Sequence, residues 1–388
     1  MKHANWSYPT PIRFGVGRLA ELAEVCDEHG INRPLFVTDR GLADLDMTRE
    51  AIESIRSGKR TVSVFSDVHP NPREQDVLRG VQSYREGGCD GVIGFGGGSA
   101  LDTAKSVAFL QGQSRPIWDF EDVGDWWTRA DADRIAPVIA IPTTAGTGSE
   151  VGRATVVTNE DTHEKKIIFH PKMMPVAVIS DPAVTVGLPP ALTVGAGMDA
   201  FAHCFEAWCA PTYHPMSAGI ALEGMRLVAM SLPRVFEDGT DLSARADMMT
   251  AASMGAVAFQ KGLGAIHSLS HPIGARYHTH HGMTNAVFLP YVLHFNREYI
   301  QEKINPMCDA LQIGSGFRVL LDWTLSFRER LNVAHTIDQL GVDDTHASWI
   351  AEQAEADPST GTNPRPFDRA AALRVFRASL SGDISAAD

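Results

Sequence analysis

The sequence is short of several things, and each shortage removes a class of function. Its five cysteines (Cys26, Cys89, Cys204, Cys209 and Cys308) are odd in number and scattered, with no C-x-x-C pair. That excludes a disulfide framework and suits a reducing compartment. No apolar run is long enough to span a bilayer, and the opening residues 1–6 lack the apolar core of a secretory signal. A cytoplasmic location is therefore expected. Basic charge is scarce: 34 lysines and arginines stand against 47 aspartates and glutamates, a formal net charge of −13. Nucleic acids and anionic membranes both require a concentrated basic surface, so neither is an expected partner. Internal repeats and low-complexity tracts are missing too.

What remains is an ordinary globular composition, 44% hydrophobic and 21% charged, in 388 residues. That length predicts two cores rather than one. In the first half, short β-branched runs at 35–39, 61–65, 91–95 and 137–141 alternate with helical patterns at 75–86 and 100–110. Such alternation implies βαβ units and a mostly parallel sheet. From about residue 185 helical periodicity dominates, at 198–209, 216–230 and 242–259, and Pro182, Pro189 and Pro190 punctuate the junction. The expected organisation is an α/β domain over 1–184 and an all-α domain over 185–388. Residues 381–388 read as a frayed tail.

Gly94-Phe95-Gly96-Gly97-Gly98-Ser99 follows a strand and opens a helix. Glycines let the backbone approach a diphosphate, and the first helical N–H groups favour its charge. It is neither G-x-G-x-x-G nor a P-loop, and a tight turn without ligand is the alternative. Residues 142–150, with Thr143 and Thr144, end the next strand in hydroxyls and glycines, where open α/β sheets bind ligands. Asp39, at the end of its strand, is placed to accept from a ribose 2′-hydroxyl and to favour NAD over NADP; a turn aspartate fits the same position.

Asp199 and His203 lie four apart on a predicted helix, which stacks them on one face. Five histidines (His267, His271, His278, His280 and His281) then crowd a short stretch. A lone histidine is usually structural, but this set with a preformed Asp/His pair points to Zn²⁺ or Fe²⁺. Spacing leaves open which two of the five complete the shell.

Read in order, Gly96 to Ser99 with Asp102 and Lys105, residues 142–150, Gly197-Met198-Asp199 with His203, and residues 267–282 resemble the iron-containing (group III) alcohol dehydrogenases. The resemblance covers essentially the whole chain and ends on Thr362-Asn363-Pro364-Arg365-Pro366. It implies a dinucleotide-binding α/β domain followed by a helical metal-binding domain, the plan shared with dehydroquinate synthase, with the active site in the cleft between. It implies Fe²⁺, alternatively Zn²⁺, on Asp199, His203, His267 and His281, and it leaves His271 as a proton relay. For NAD it implies Asp39, Asn71, Gly97, Gly98, Ser99, Asp102, Thr143, Thr144 and Lys165. Two departures are Arg73, where the family commonly has Thr, and the extra His280 beside His281.

Within that family, residues 197–222 and 258–264 look most like 4-hydroxybutyrate dehydrogenases. Arg153 and Lys261 are then expected to receive a substrate carboxylate, with Phe259 beside the substrate. The implied activity is hydride transfer between NAD(H) and a short primary alcohol or aldehyde, by a homo-oligomer. The rivals are a cyclising lyase of the dehydroquinate synthase type and a non-enzymatic metal-binding protein.

Overall fold

Strands that are apolar on both faces pair in parallel and need helices over them. Four segments meet that condition and are buried throughout: Pro34–Val37, Gly91–Gly96, Val138–Pro142 and Ala177–Ser180. A computed structural model describes residues 10–57, 60–162 and 164–388; the opening residues 1–6 lie outside the described residues. Contacts divide the chain into two compact units. One holds the described residues up to Thr144 together with Gly148–Gly187, and the other holds Ala145–Thr147 and Leu188–Asp388.

The first unit runs β1 (Ile12–Phe14), α1 (Leu22–Glu28), β2 (Pro34–Val37), α2 (Asp46–Ser57), β3 (Ser63–Phe65), α3 (Glu74–Glu86), β4 (Gly91–Gly96), α4 (Gly98–Leu110) and β5 (Val138–Pro142). It closes with β6 (Ala154–Asn159), β7 (Glu164–Phe169) and β8 (Ala177–Ser180). Six strands form a parallel sheet in the order β1-β8-β5-β4-β2-β3. Strands β6 and β7 form a separate antiparallel hairpin that the sequence reading does not anticipate. Its β7 segment carries Glu164, Lys165 and Lys166 in a row, which hides any period-2 pattern.

The chain leaves β2 outward to β3 and returns to the opposite side of β2 for β4. Direction therefore reverses between β2 and β4, and the crevice at the carboxyl ends of those strands is where such sheets take ligands.

The second unit contains α5 (Pro190–Cys209), α6 (Pro215–Glu237), α7 (Leu242–Ala258), α8 (Ala265–Tyr277), α9 (His281–Asn296), α10 (Gln301–Ala310), α11 (Phe317–Arg330), α12 (Ala347–Ala356) and α13 (Arg369–Ser381). Pro190 opens α5 at its first position, where the missing N–H costs nothing. Helix α5 is buried along most of its length and packs against α6, α7 and α9. Its approach to α9 is close: a Cβ on Gly282 would fall 1.9 Å from the Gly195 carbonyl oxygen. No helix among the described residues is long and apolar enough to cross a membrane.

The expected frayed tail is corrected. Residues Ile384–Ala387 form a 3₁₀ turn, Ala387 is fully buried, and the Asp388 carboxylate binds Arg297 at 2.6 Å and Arg365 at 2.8 Å. An apolar contact and two guanidinium partners hold a segment whose sequence alone looks unrestrained.

Candidate metal centre and cofactor loop

Helix α5 supplies the first part of the centre. Asp199 and His203, one turn apart, are both 4% exposed. His267 lies in the first turn of α8 and is 1% exposed, and His281 is the first residue of α9. Ligand atoms of Asp199, His203 and His267 all lie within 4.8 Å of one another. From Asp199 Oδ1 the Nε2 atoms of His203, His267 and His281 stand at 3.7, 3.9 and 3.5 Å. Metal–ligand bonds of about 2.1 Å in a tetrahedral shell place neighbouring ligand atoms about 3.4 Å apart. Asp199, His203 and His267 therefore have the mutual spacing of ligands to a single divalent ion, and His281 approaches the same Asp199 oxygen. A buried carboxylate facing three imidazoles also lacks the counter-charge that burial demands, which a cation supplies.

Protonation favours the same reading. Burial pushes the His203 imidazole down to about 4 against the pull of Asp199, so it is neutral and free to ligate near pH 7. His267 goes the other way. Burial alone would lower it, yet the Glu206 carboxylate and then Asp199 hold it above the ordinary histidine value.

His280 stays out of the cluster. Its Nδ1 accepts from the Met283 N–H at the start of α9, so the register places His281 inward. His271, one turn beyond His267 on α8, stacks on His281 with ring centroids 5.5 Å apart and planes 7° from parallel. Its Nδ1 lies 2.7 Å from Asp357 Oδ2. The Phe259 ring meets His203 edge-on at 5.1 Å.

Sequence reasoning missed three participants. Glu206, three residues beyond His203 and so on the same face of α5, has Oε2 2.6 Å from His267 Nδ1. The periodicity that paired Asp199 with His203 reaches it as well. Asn285, one turn after His281, donates from Nδ2 to Asp199 Oδ1 at 2.8 Å and lies 3.3 and 3.2 Å from Nε2 of His267 and His281. Asp357 carried no local signal.

In the first unit, Gly97 is the N-cap of α4 and Gly98 its first residue, with Ser99 next. A Cβ on Gly97 would come within 3.2 Å of Thr144, and the Thr143 N–H donates to the Gly96 carbonyl at 2.9 Å. Asp39 closes the other side of the crevice. Its Oδ1 accepts the N–H groups of Gly41 and Leu42, the turn role that competed with ribose binding, while Oδ2 lies 3.5 Å from a Cβ built on Gly96. Asp39, Gly97, Gly98, Ser99, Thr143 and Thr144 are thus assembled at the point where strand order reverses.

Asn71 takes the left-handed conformation, φ 56°, just before Pro72. The Pro72 carbonyl accepts from Thr158 N–H at 2.7 Å, and Thr158 is the register partner of Lys165 across the hairpin, which brings the Asn71 loop beside β6 and β7.

The Asp102 carboxylate has protein partners on both oxygens: its Oδ1 accepts from the Ser149 hydroxyl, within the 142–150 segment, and its Oδ2 from Val156 N–H at 2.9 Å. With Lys105, which donates to the Ser149 and Ala154 carbonyls at 2.9 and 2.6 Å, it fastens α4 to the hairpin. Lys261 is not a free cation. Its Nζ donates to the carbonyls of Ala207 at 2.8 Å, Trp208 at 3.3 Å and Ala210, capping the C-terminal end of α5. Arg153 carries its guanidinium 5.6 Å over the Phe169 ring at the base of the hairpin.

A glycine turn at a sheet switch point and a buried carboxylate–imidazole cluster on one chain suit a metal-dependent oxidoreductase that works with a dinucleotide. Residues 9–182 match the family model for iron-containing alcohol dehydrogenase, and residues 193–380 match the C-terminal model of the Fe-containing alcohol dehydrogenase family. The chain belongs to the iron-containing alcohol dehydrogenases and is an alcohol oxidoreductase.

A 4-hydroxybutyrate dehydrogenase of Cupriavidus necator is 36% identical, over 96% of this chain and 99% of that one. Among solved structures, a 1,3-propanediol oxidoreductase superposes with TM-score 0.93 at 28% identity, covering 98% of this chain and all of the other. A sulfoacetaldehyde reductase of Bifidobacterium kashiwanohense, solved with NAD+, gives 0.89 at 25% identity, over 99% of this chain and 100% of its own.

Proposed function

We propose that the chain moves a hydride between NAD and a small primary alcohol or its aldehyde, at one Fe²⁺ held by Asp199, His203, His267 and His281, with Zn²⁺ the alternative metal. The observation that carries the proposal is the convergence of three imidazole Nε2 atoms on one buried carboxylate oxygen at 3.5 to 3.9 Å. Bound there, the ion would act as a Lewis acid toward the substrate oxygen, while NAD would accept the hydride. Asp199 supplies the negative charge of the centre, and Asn285 holds its Oδ1 in place. His271, oriented through Nδ1 by Asp357, keeps its other nitrogen to take or return the hydroxyl proton. The Phe259 ring, edge-on to His203, would limit water beside the metal centre. On the other unit, the backbone N–H groups at the start of α4 would receive the diphosphate, with Asn71 and Lys165 toward the cofactor's far end.

The named substrates of the relatives include anionic and uncharged alcohols, so the substrate class turns on a cation. With Lys261 committed to α5, Arg153 is the residue proposed to meet a carboxylate, and an ω-hydroxy acid such as 4-hydroxybutyrate is the proposed substrate. The free cysteines suit the cytoplasm, and a homo-oligomer is the proposed assembly. The test is NADH formation by protein loaded with Fe²⁺, Zn²⁺ or Mn²⁺ on a panel of simple alcohols, diols and ω-hydroxy acids. Metal-stimulated turnover is expected, fastest on the ω-hydroxy acid. No NADH from any alcohol with any metal would overturn the proposal.

A further inference from the structure

Glu206 is a carboxylate buried to 3% exposure on α5, flanked in sequence by the buried Cys204, Phe205 and Ala207. Burying an ionised carboxylate so deeply is costly unless both oxygens find strong donors. They do, and both donors belong to the same helix. Oε2 lies 2.6 Å from His267 Nδ1, and Oε1 accepts the Ile266 N–H at 2.7 Å. The neighbouring Ala265 N–H donates to Asn363 Oδ1 at 3.1 Å, so the first turn of α8 is capped by two side chains from distant parts of the chain. Glycine at 264 is needed for this approach: a Cβ there would sit 2.7 Å from Asn363 Oδ1 and 3.1 Å from Glu206 Oε1.

We propose that Glu206 is the positioning residue of the metal centre, locking the His267 proton on Nδ1 so that the Nε2 lone pair faces the ion. The proposal rests on the ligand reading given above. An imidazole has two nitrogens and, when neutral, one proton, so whatever accepts at Nδ1 decides which nitrogen can ligate. Glu206 is an acceptor at both oxygens and leaves His267 no alternative. Because its second oxygen holds the backbone of the preceding residue, the same side chain fixes the ring and the helix end that carries it.

The experiment compares Glu206→Gln, Glu206→Ala and His267→Ala with the unmodified full chain. It reads the Co²⁺ dissociation constant by chelator competition, the visible spectrum of bound Co²⁺, and the Tm of the metal-free proteins. A glutamine can keep only one of the two bonds, because its amide nitrogen donates where Glu206 accepts. Glu206→Gln is expected to bind Co²⁺ about 10- to 100-fold more weakly with an altered spectrum. Glu206→Ala should lose at least as much, and His267→Ala should lose the site. Unchanged Co²⁺ affinity and spectrum in Glu206→Gln, with only its Tm lowered, would assign Glu206 to the helix end alone and overturn the proposal. An unmodified chain that binds no Co²⁺, behaving like His267→Ala, would overturn the functional reading and this proposal with it.

Discussion

His271 and Asp357 are hydrogen-bonded at 2.7 Å although 86 residues separate them in the chain. Burial works to raise the Asp357 carboxyl, but His271 and the Ser359 N–H outweigh it and hold it below the usual carboxylate range. The acid is therefore ionised and fixes which His271 nitrogen carries the proton. Asp357→Asn should lower kcat by roughly 10- to 100-fold, within the range of general acid–base contributions, with metal content unchanged. Steady-state rates alongside elemental analysis decide it, and full turnover in that variant would remove the pair from proton transfer.

Acid should destabilise the metal-free protein through His203. Its folded value of about 4 lies below the unfolded 6.5, so the unfolded chain binds more protons between those limits. Stability is complete above 6.5 and falls as pH drops toward 4, by roughly 3 kcal/mol at most. His267, raised above 6.5, works in the opposite sense: it stabilises below 6.5, and that contribution is lost as pH rises through its folded value. Tm measured from pH 7 to 4 should show a steeper decline in the unmodified chain than in His203→Ala; equal slopes would rule out a neutral buried imidazole.

Two glycine substitutions should have opposite signs. Gly282→Ala drives a methyl to 1.9 Å from a backbone oxygen that cannot move away, and is expected to destabilise by about 3 kcal/mol or more. Gly219 lies exposed within α6 with nothing within 4 Å of its Cβ position. Gly219→Ala should stabilise by roughly 0.5 to 1 kcal/mol, because alanine loses less backbone entropy in a helix. Denaturant midpoints test both, and tolerance of alanine at 282 would contradict the close contact of α5 with α9.

Lys261 and Arg153 should separate cleanly. Burial, and then the neighbouring Lys303, push the Lys261 ammonium down to about 8, and its three carbonyl partners hold the end of α5. Lys261→Met is expected to lower Tm while the ratio of kcat/KM for 4-hydroxybutyrate over 1,4-butanediol stays unchanged. Arg153→Ala should lower that ratio about 10-fold, the equivalent of 1.4 kcal/mol. A ratio that moves only in the lysine variant would reverse the assignment.

The sequence and the structure agree where chemistry is local. Asp199 and His203 are legible because helical periodicity alone puts them on one face. The glycine turn is legible because a strand precedes it and a helix follows. His267 and His271 are just as well spaced as the first pair, and nothing local says which of them faces inward. The fold separates them by partner: Glu206 holds one and Asp357 the other. Lys261 reads as a free cation because the carbonyls it caps belong to a helix that ends some 50 residues earlier. The partners of Asp102, Ser149 and Val156, lie about 50 residues further along the chain, where no local pattern ties them to α4. β1 and β8 were not foreseen, one being only three residues long and the other four.

Asp199, His203 and Glu206 project from one helix at spacings of four and three residues. Each residue of an α-helix turns the next by about 100°. One residue inserted or deleted between Asp199 and Glu206 would swing part of this triad a quarter-turn or more away from α8 and α9, and no rotamer change recovers that. The segment therefore serves as a gauge of fixed length. Variation in this protein can be absorbed by the surface turns between helices, whereas the gauge admits substitution but no change in length.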